Sequence, residues 1–386
     1  MSTSSEEYSS IESITSISPK PAIKFDPDGD LCLTVGCSPS QDMIVDSRAL
    51  CRASRVFSSM LRGGFAESQP NDGREWNATL PDDPPTAFAI LMDLAHAQFK
   101  QTPEEVSVDE LYAICVLTNK YDMVEVLRPM ADRWFKSLAA RWQSPFSEAA
   151  AKMMFVAWEL GCADKLGEIT LQIAWICDMD EDGDLITEDG QKIKDMEPFK
   201  LVPVYDCIQE FRLMALETFH DQCQFLSFLL LDYSLVGEFQ CRHTYHDGDD
   251  IARMMGKMLS AAYKLDVLDL FSPGNSFLGV SRNVYSTEWM VKQVVESMDV
   301  CEGCEPRCEP IRNMLADIED QIRKLQDPLH RRHLERMKIQ ASRVGMIPRT
   351  LASLQESSYK QECKVDMLGC QVLPEARQFS TYAPVS

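Results

Sequence analysis

Residues 43–67, MIVDSRALCRASRVFSSMLRGGFAE, decide how this chain is read. Met43–Val45 is a short apolar strand. Asp46 or Ser47 stands where a helix N-cap belongs, and Ser54 caps a second helix directly after, because a short oxygen-bearing side chain accepts from the free N–H groups of a first turn. In that second helix Val56, Phe57, Met60 and Leu61 recur at helical spacing and predict one apolar face. Gly63 and Gly64 end it, since glycine enters the left-handed conformation at little cost. An aromatic and an acid follow as Phe65-Ala66-Glu67. Read with the acidic-proline run LPDDPPTAF at 80–88, the segment is built to present a surface to another protein. It positions no nucleophile and cradles no phosphate.

Working outward, the turn DPDGD at 26–30 precedes an alternating strand at Leu31–Val35, and Glu75–Leu80 alternates weakly as a third strand. From Pro84 the pattern is helical. Phe88, Leu91, Met92 and Ala95 form one stripe; Ser107 caps the next helix, whose inner face is Leu111, Ile114, Cys115 and Thr118. Further helices are predicted near 122–140, 147–160, 164–177 and 203–219. The expected organisation is a disordered tail at 1–24, an α/β domain at 25–140, helical regions at 141–236 and 237–348, and a flexible tail at 349–386. The fold class is therefore α+β: a short sheet flanked by helices, followed by a mainly α-helical region.

Composition narrows the function classes. No apolar run nears the ~20 residues that cross a bilayer, and the polar start MSTSSEEYSS lacks the apolar core of a secretory signal. An intracellular protein, cytoplasmic or nuclear, is expected. A net charge of −22 opposes direct nucleic-acid binding and favours basic partner surfaces. Most of the 14 cysteines are expected to be small buried residues.

Four stretches together resemble a BTB/POZ domain of the type common in filamentous fungi. DGDLCLTVG at 28–36 looks like its opening strand, and SRALCRASRVFSSMLRGGFAES at 47–68 is similar to its central helix pair. LPDDPPTAFAILMDLAH at 80–96 resembles its acidic turn and next helix, and ELYAICVLTNKYDM at 110–123 its last helix and DKYD-like turn. The chain departs from the pattern at Asp46, where many members carry histidine, and at Asn119, the first place of that turn. Residues 1–24 do not supply the long amphipathic helix that swaps between animal dimers, so an obligate dimer is not implied. The resemblance implies an adaptor or scaffold that binds partner proteins or a second copy. Cullin-binding members place a hydrophobic residue, any residue and an acid after the glycine break, a pattern that Phe65, Ala66 and Glu67 match. It thus implies a substrate adaptor of a cullin-type ubiquitin ligase.

Two metal patterns stand beside this reading. DMDEDGDLITED at 178–189 places Asp178, Asp180 and Asp182 as the first ligands of a calcium loop, with Asp189 in the closing position where glutamate is usual. A solvated acidic loop explains the same run. CEGCEPRC supplies Cys301, Cys304 and Cys308 at zinc-ligand spacing, and Cys241, His243 and His246 form a smaller cluster upstream. These define the alternative of a zinc-stabilised nuclear regulatory protein; with no second CxxC, unrelated thiols and surface histidines are the simpler explanation. Ile311, Leu315, Ile318, Ile322 and Leu325 form a helical stripe expected to pack on the same chain, and the basic run from His330 to Lys338 reads as an import signal or a solvated helix face. No phosphate loop, nucleophile elbow, H-E-x-x-H or dinucleotide fingerprint occurs, so no enzyme is expected.

Overall fold

Leu31, Leu33 and Val35 alternate along strand β2 (Leu31–Val35), and Met43 and Val45 along β3 (Gln41–Val45); all five are at most 1% exposed. This period of two turns one face of the pair into a core. The computed structural model describes residues 21–141, 146–236, 238–240, 245–272, 282–298 and 328–346, with a few positions between 316 and 325. β2 and β3 are antiparallel with Leu33 opposite Met43. β4 (Asn77–Leu80) runs parallel to β2, and β1 (Ile23–Lys24) parallel to β3, giving the mixed order β1-β3-β2-β4. β1 falls within the expected tail. Its two residues are both exposed and join the sheet through backbone bonds, so no apolar alternation announces it.

Helices α1 (Ser47–Ala53) and α2 (Arg55–Arg62) follow with the expected caps. The Asp46 carboxylate accepts from Arg48 N, and Ser54 Oγ from Phe57 N. Gly64, with φ +79°, takes the left-handed position beyond α2. α3 (Pro85–Ala95) and α4 (Val108–Tyr121) complete this part; a reciprocal Ser107–Glu110 capping box opens α4. Phe57 stacks on Tyr121 at 4.3 Å and meets Phe88 edge-on at 6.3 Å, joining α2, α3 and α4.

The chain is α+β, the small sheet coming first and helices after. α5 (Ala131–Ala140), α6 (Glu148–Leu160), α7 (Ala163–Ile176) and α8 (Glu197–Leu201) extend the same apolar core, which is continuous from Phe25 to Phe211 across residue 140. α6 is buried on nearly every side. α9 (Tyr205–Val236) is a 32-residue helix, longer than the expected 203–219, and spans ~48 Å. Its first turns belong to the first core. From Ala215 it lines a second core with α10 (Gly248–Lys264), α11 (Leu268–Phe271) and α12 (Val284–Ser297). Ile318 also packs there; Ile311, Leu315 and Ile322 lie outside the described residues. Between the cores, the buried Arg212 donates to Cys177 O at 2.6 Å and to Arg282 O, holding the end of α7 and the start of α12 to α9.

α13 (Arg331–Val344) returns to the first core through Met337 and Val344. It crosses Gly161 so closely that a Cβ there would lie 2.3 Å from Met337 O. The arginines and lysine of the basic run lie on the exposed face of this packed helix. His333 is 2% exposed and meets Trp158 edge-on, while Arg336 lies over the Trp158 ring at 4.5 Å.

Candidate functional site

The turn after α2 carries Phe65, Ala66 and Glu67. Ser68 fixes it: its hydroxyl donates to Met60 O at 3.1 Å and accepts from Gly64 N at 3.0 Å. Trp76 Nε1, from the entry to β4, donates to Glu67 O at 2.8 Å. On this held backbone the Phe65 side chain is 61% exposed, lying across Gly63, while Ala66 is exposed and Glu67 half-buried. An aromatic anchor on a pre-ordered turn beside an acid has the makings of a contact hot spot, because little conformational freedom is lost on binding.

The acidic turn and the end of α4 form a closed network. Asp83, 4% exposed, accepts from Lys120 Nζ at 2.5 Å and from Tyr121 Oη. Burial, then the bond to Asp83, pushes the Tyr121 hydroxyl well above its ordinary range. Ser54 Oγ donates to Tyr121 O at 2.5 Å, tying the α2 cap to the same point. Asp122, left-handed at φ +46°, ends α4 and takes Arg343 at 2.7 Å and Arg55 at 3.4 Å. These residues hold the body together, whereas Phe65 faces solvent. An open groove of about 430 Å³ lies at the other end of the α1–α2 pair, lined by Arg52, Arg55, Ser58, Asp122, Glu125 and Arg343.

The acidic loop assembles differently from the expected ligand set. β5 (Asp178–Met179) and β6 (Leu185–Ile186) form a hairpin, with no exiting helix of the kind an EF-hand needs. Asp180, Asp182 and Asp184 converge; Asp178 instead accepts from Asn283 Nδ2 at 3.1 Å, and Asp189 is exposed in a turn. The Lys192 ammonium stands among the three carboxylates at 2.9, 2.8 and 2.9 Å. Its hydrogen bond holds Asp180 below the ordinary carboxylate range, and Lys194 does the same first for Asp184. An internal cation thus stands where a metal would, partly offsetting the three carboxylates, and the signal for it was the Lys192-Ile193-Lys194 run. Of the zinc residues, Cys241, His243, Cys301, Cys304 and Cys308 lie outside the described residues; His246 lies in β8 (Tyr245–Asp247), paired with β7 (Glu238–Gln240).

One pairing escaped sequence reasoning because its partners stand far apart. His330 Nδ1 lies 3.6 Å from Cys207 Sγ, with Glu210 3.3 Å from Nε2. Cys207 is 2% exposed and burial raises its thiol pKa, the reverse of what an activated nucleophile requires. Among the described residues no helix is long and apolar enough to cross a membrane. Comparison with family models, with curated proteins and with solved structures finds no match to this chain.

Proposed function

We propose that this chain is a protein–protein interaction module, an adaptor or scaffold whose residues 25–140 act as a BTB/POZ-like domain. What carries the reading is Phe65, 61% exposed on a turn that Ser68 and Trp76 hold in place. The exposed part of a large aromatic on a held turn adds little to folding and is available to a partner. The mixed sheet, the capped α1–α2 pair and the Asp83–Tyr121 network support the resemblance drawn from the sequence. The narrower form of the proposal is docking on a cullin scaffold through Phe65 and Glu67, with the helical region recruiting a target for ubiquitylation.

The test is crosslinking of the full chain in cell extract, followed by identification of captured proteins for the wild type and for Phe65→Ala. Cullin captured by the wild type and lost in the variant supports the narrow form. Capture of another protein that also depends on Phe65 supports the module and removes the cullin. A set of captured proteins unchanged by Phe65→Ala overturns the role of this turn.

A further inference from the structure

We propose that the outer face of the C-terminal half of α9 is a docking site for a basic amphipathic helix of another protein. Phe219, Cys223, Leu226 and Leu230 point into the second core and are at most 5% exposed. At about 100° per residue, Phe225, Phe228 and Leu235 fall on the opposite side. They are 59%, 52% and 81% exposed. A helix that is apolar on both sides leaves one side to be covered, and a contiguous exposed strip of aromatic and aliphatic side chains marks an interaction site.

Charge selects the partner. From Leu213 to Leu235 the helix carries Glu217, Asp221 and Asp232 and no lysine or arginine. All three acids are exposed and lie on the same side as the strip; Glu217 and Asp232 form no ion pair among the described residues. A second copy fits poorly. Antiparallel pairing centred between Phe225 and Phe228 sets Asp221 of one copy against Asp232 of the other, and parallel pairing sets each acid against itself. A helix with apolar residues at four-three spacing, flanked by lysine or arginine, covers the strip and neutralises its acids. This surface is separate from the Phe65 turn, and neither reading depends on the other.

The test titrates the full chain into a fluorescent leucine–lysine peptide of about 18 residues, five helical turns with leucine at heptad positions. A scrambled peptide of equal composition is the control, and the readout is anisotropy. The expected result is binding to the amphipathic peptide that Phe225→Ser with Phe228→Ser weakens at least about tenfold. Asp221→Lys with Asp232→Lys should weaken it as much, while Glu188→Lys with Asp189→Lys, on an exposed turn, leaves it unchanged. All substitutions are at exposed positions, so melting temperatures should match the wild type. Absence of binding, equal binding of the scrambled peptide, or equal affinity in the strip variants overturns the proposal. A dimer in light scattering that Phe228→Ser splits also overturns it and assigns the face to self-association.

Discussion

Arg343 of α13 reaches Asp122 at 2.7 Å although the two residues stand 221 positions apart in the chain. The same guanidinium meets Glu125 at 3.1 Å, and Arg128 donates back to Ser342 O at 3.2 Å. The last described helix is therefore seated on the end of α4, beside the sheet-bearing part of the molecule. These partly solvated ion pairs are not the main term. Closely packed backbone and the buried Met337, Ala341 and Val344 contribute most of the seating.

Gly161 is the tightest point of that contact. A Cβ there would lie 2.3 Å from Met337 O and 2.4 Å from Ala341 N, at φ +77°. Gly161→Ala is expected to cost about 2–4 kcal/mol, combining left-handed strain with a backbone clash. The check is the urea midpoint; a midpoint equal to the wild type's would mean that α13 is not seated on this glycine.

Glu159 makes stability depend on pH. Burial raises its carboxyl from 4.5 to about 7, against the hydrogen bond from Asn119 and the charges of Arg336 and Arg343, with Asp122 adding to the rise. A raised acid favours the folded state below its unfolded pKa, and that contribution is lost as pH climbs from about 4.5 through 7. The group should thus lower stability by about 3 kcal/mol between pH 4.5 and pH 8. Glu159→Gln should remove this slope and unfold later than the wild type at pH 8. Parallel denaturation curves for the two proteins across the range would disprove the assignment.

Asp83 separates the structural network from the contact surface. Asp83→Ala leaves the Tyr121 hydroxyl buried without its acceptor and should cost about 1–3 kcal/mol. Lys120→Ala, at a half-exposed side chain, should cost less. Phe65→Ala should leave thermal stability unchanged. Calorimetry on the three variants orders them, and a large loss at Phe65 would show that its ring is part of the core.

The ammonium of Lys192 occupies the centre of the acidic loop, so millimolar calcium should not shift the melting temperature. Lys192→Met leaves Asp180, Asp182 and Asp184 facing one another and should lower the melting temperature at low salt, with recovery as salt screens the repulsion. A salt-independent effect would point to packing instead.

Much of the sheet and helix scaffold was legible in the sequence, because the signals that set it act over a few residues. The caps at Asp46, Ser54 and Ser107, the alternation of Leu31–Val35 and the stripe from Phe88 to Ala95 each place their element through neighbours in the chain. β1 was not legible, since two exposed residues carry no pattern, and neither was the full run of α9, whose second half is apolar on both sides. The Phe65 turn was found as a motif, but the exposure of its ring was not.

By itself, then, the sequence determined the strands and helices from Leu31 to Tyr121 and the helical character beyond, the absence of a recognisable catalytic motif and the acidic balance that favours basic partners. Tertiary structure alone decided that Lys192 stands among three aspartates, that Asp83 grips Lys120 and Tyr121, that α13 closes on Gly161, and which side of α9 is left uncovered. These depend on groups brought together from 8 positions apart at Lys192 and Asp184 to 38 at Asp83 and Tyr121, and further still at Gly161 and Met337. Periodicity and capping act within a turn or two and carry no record of such encounters, which only the packing of whole helices creates.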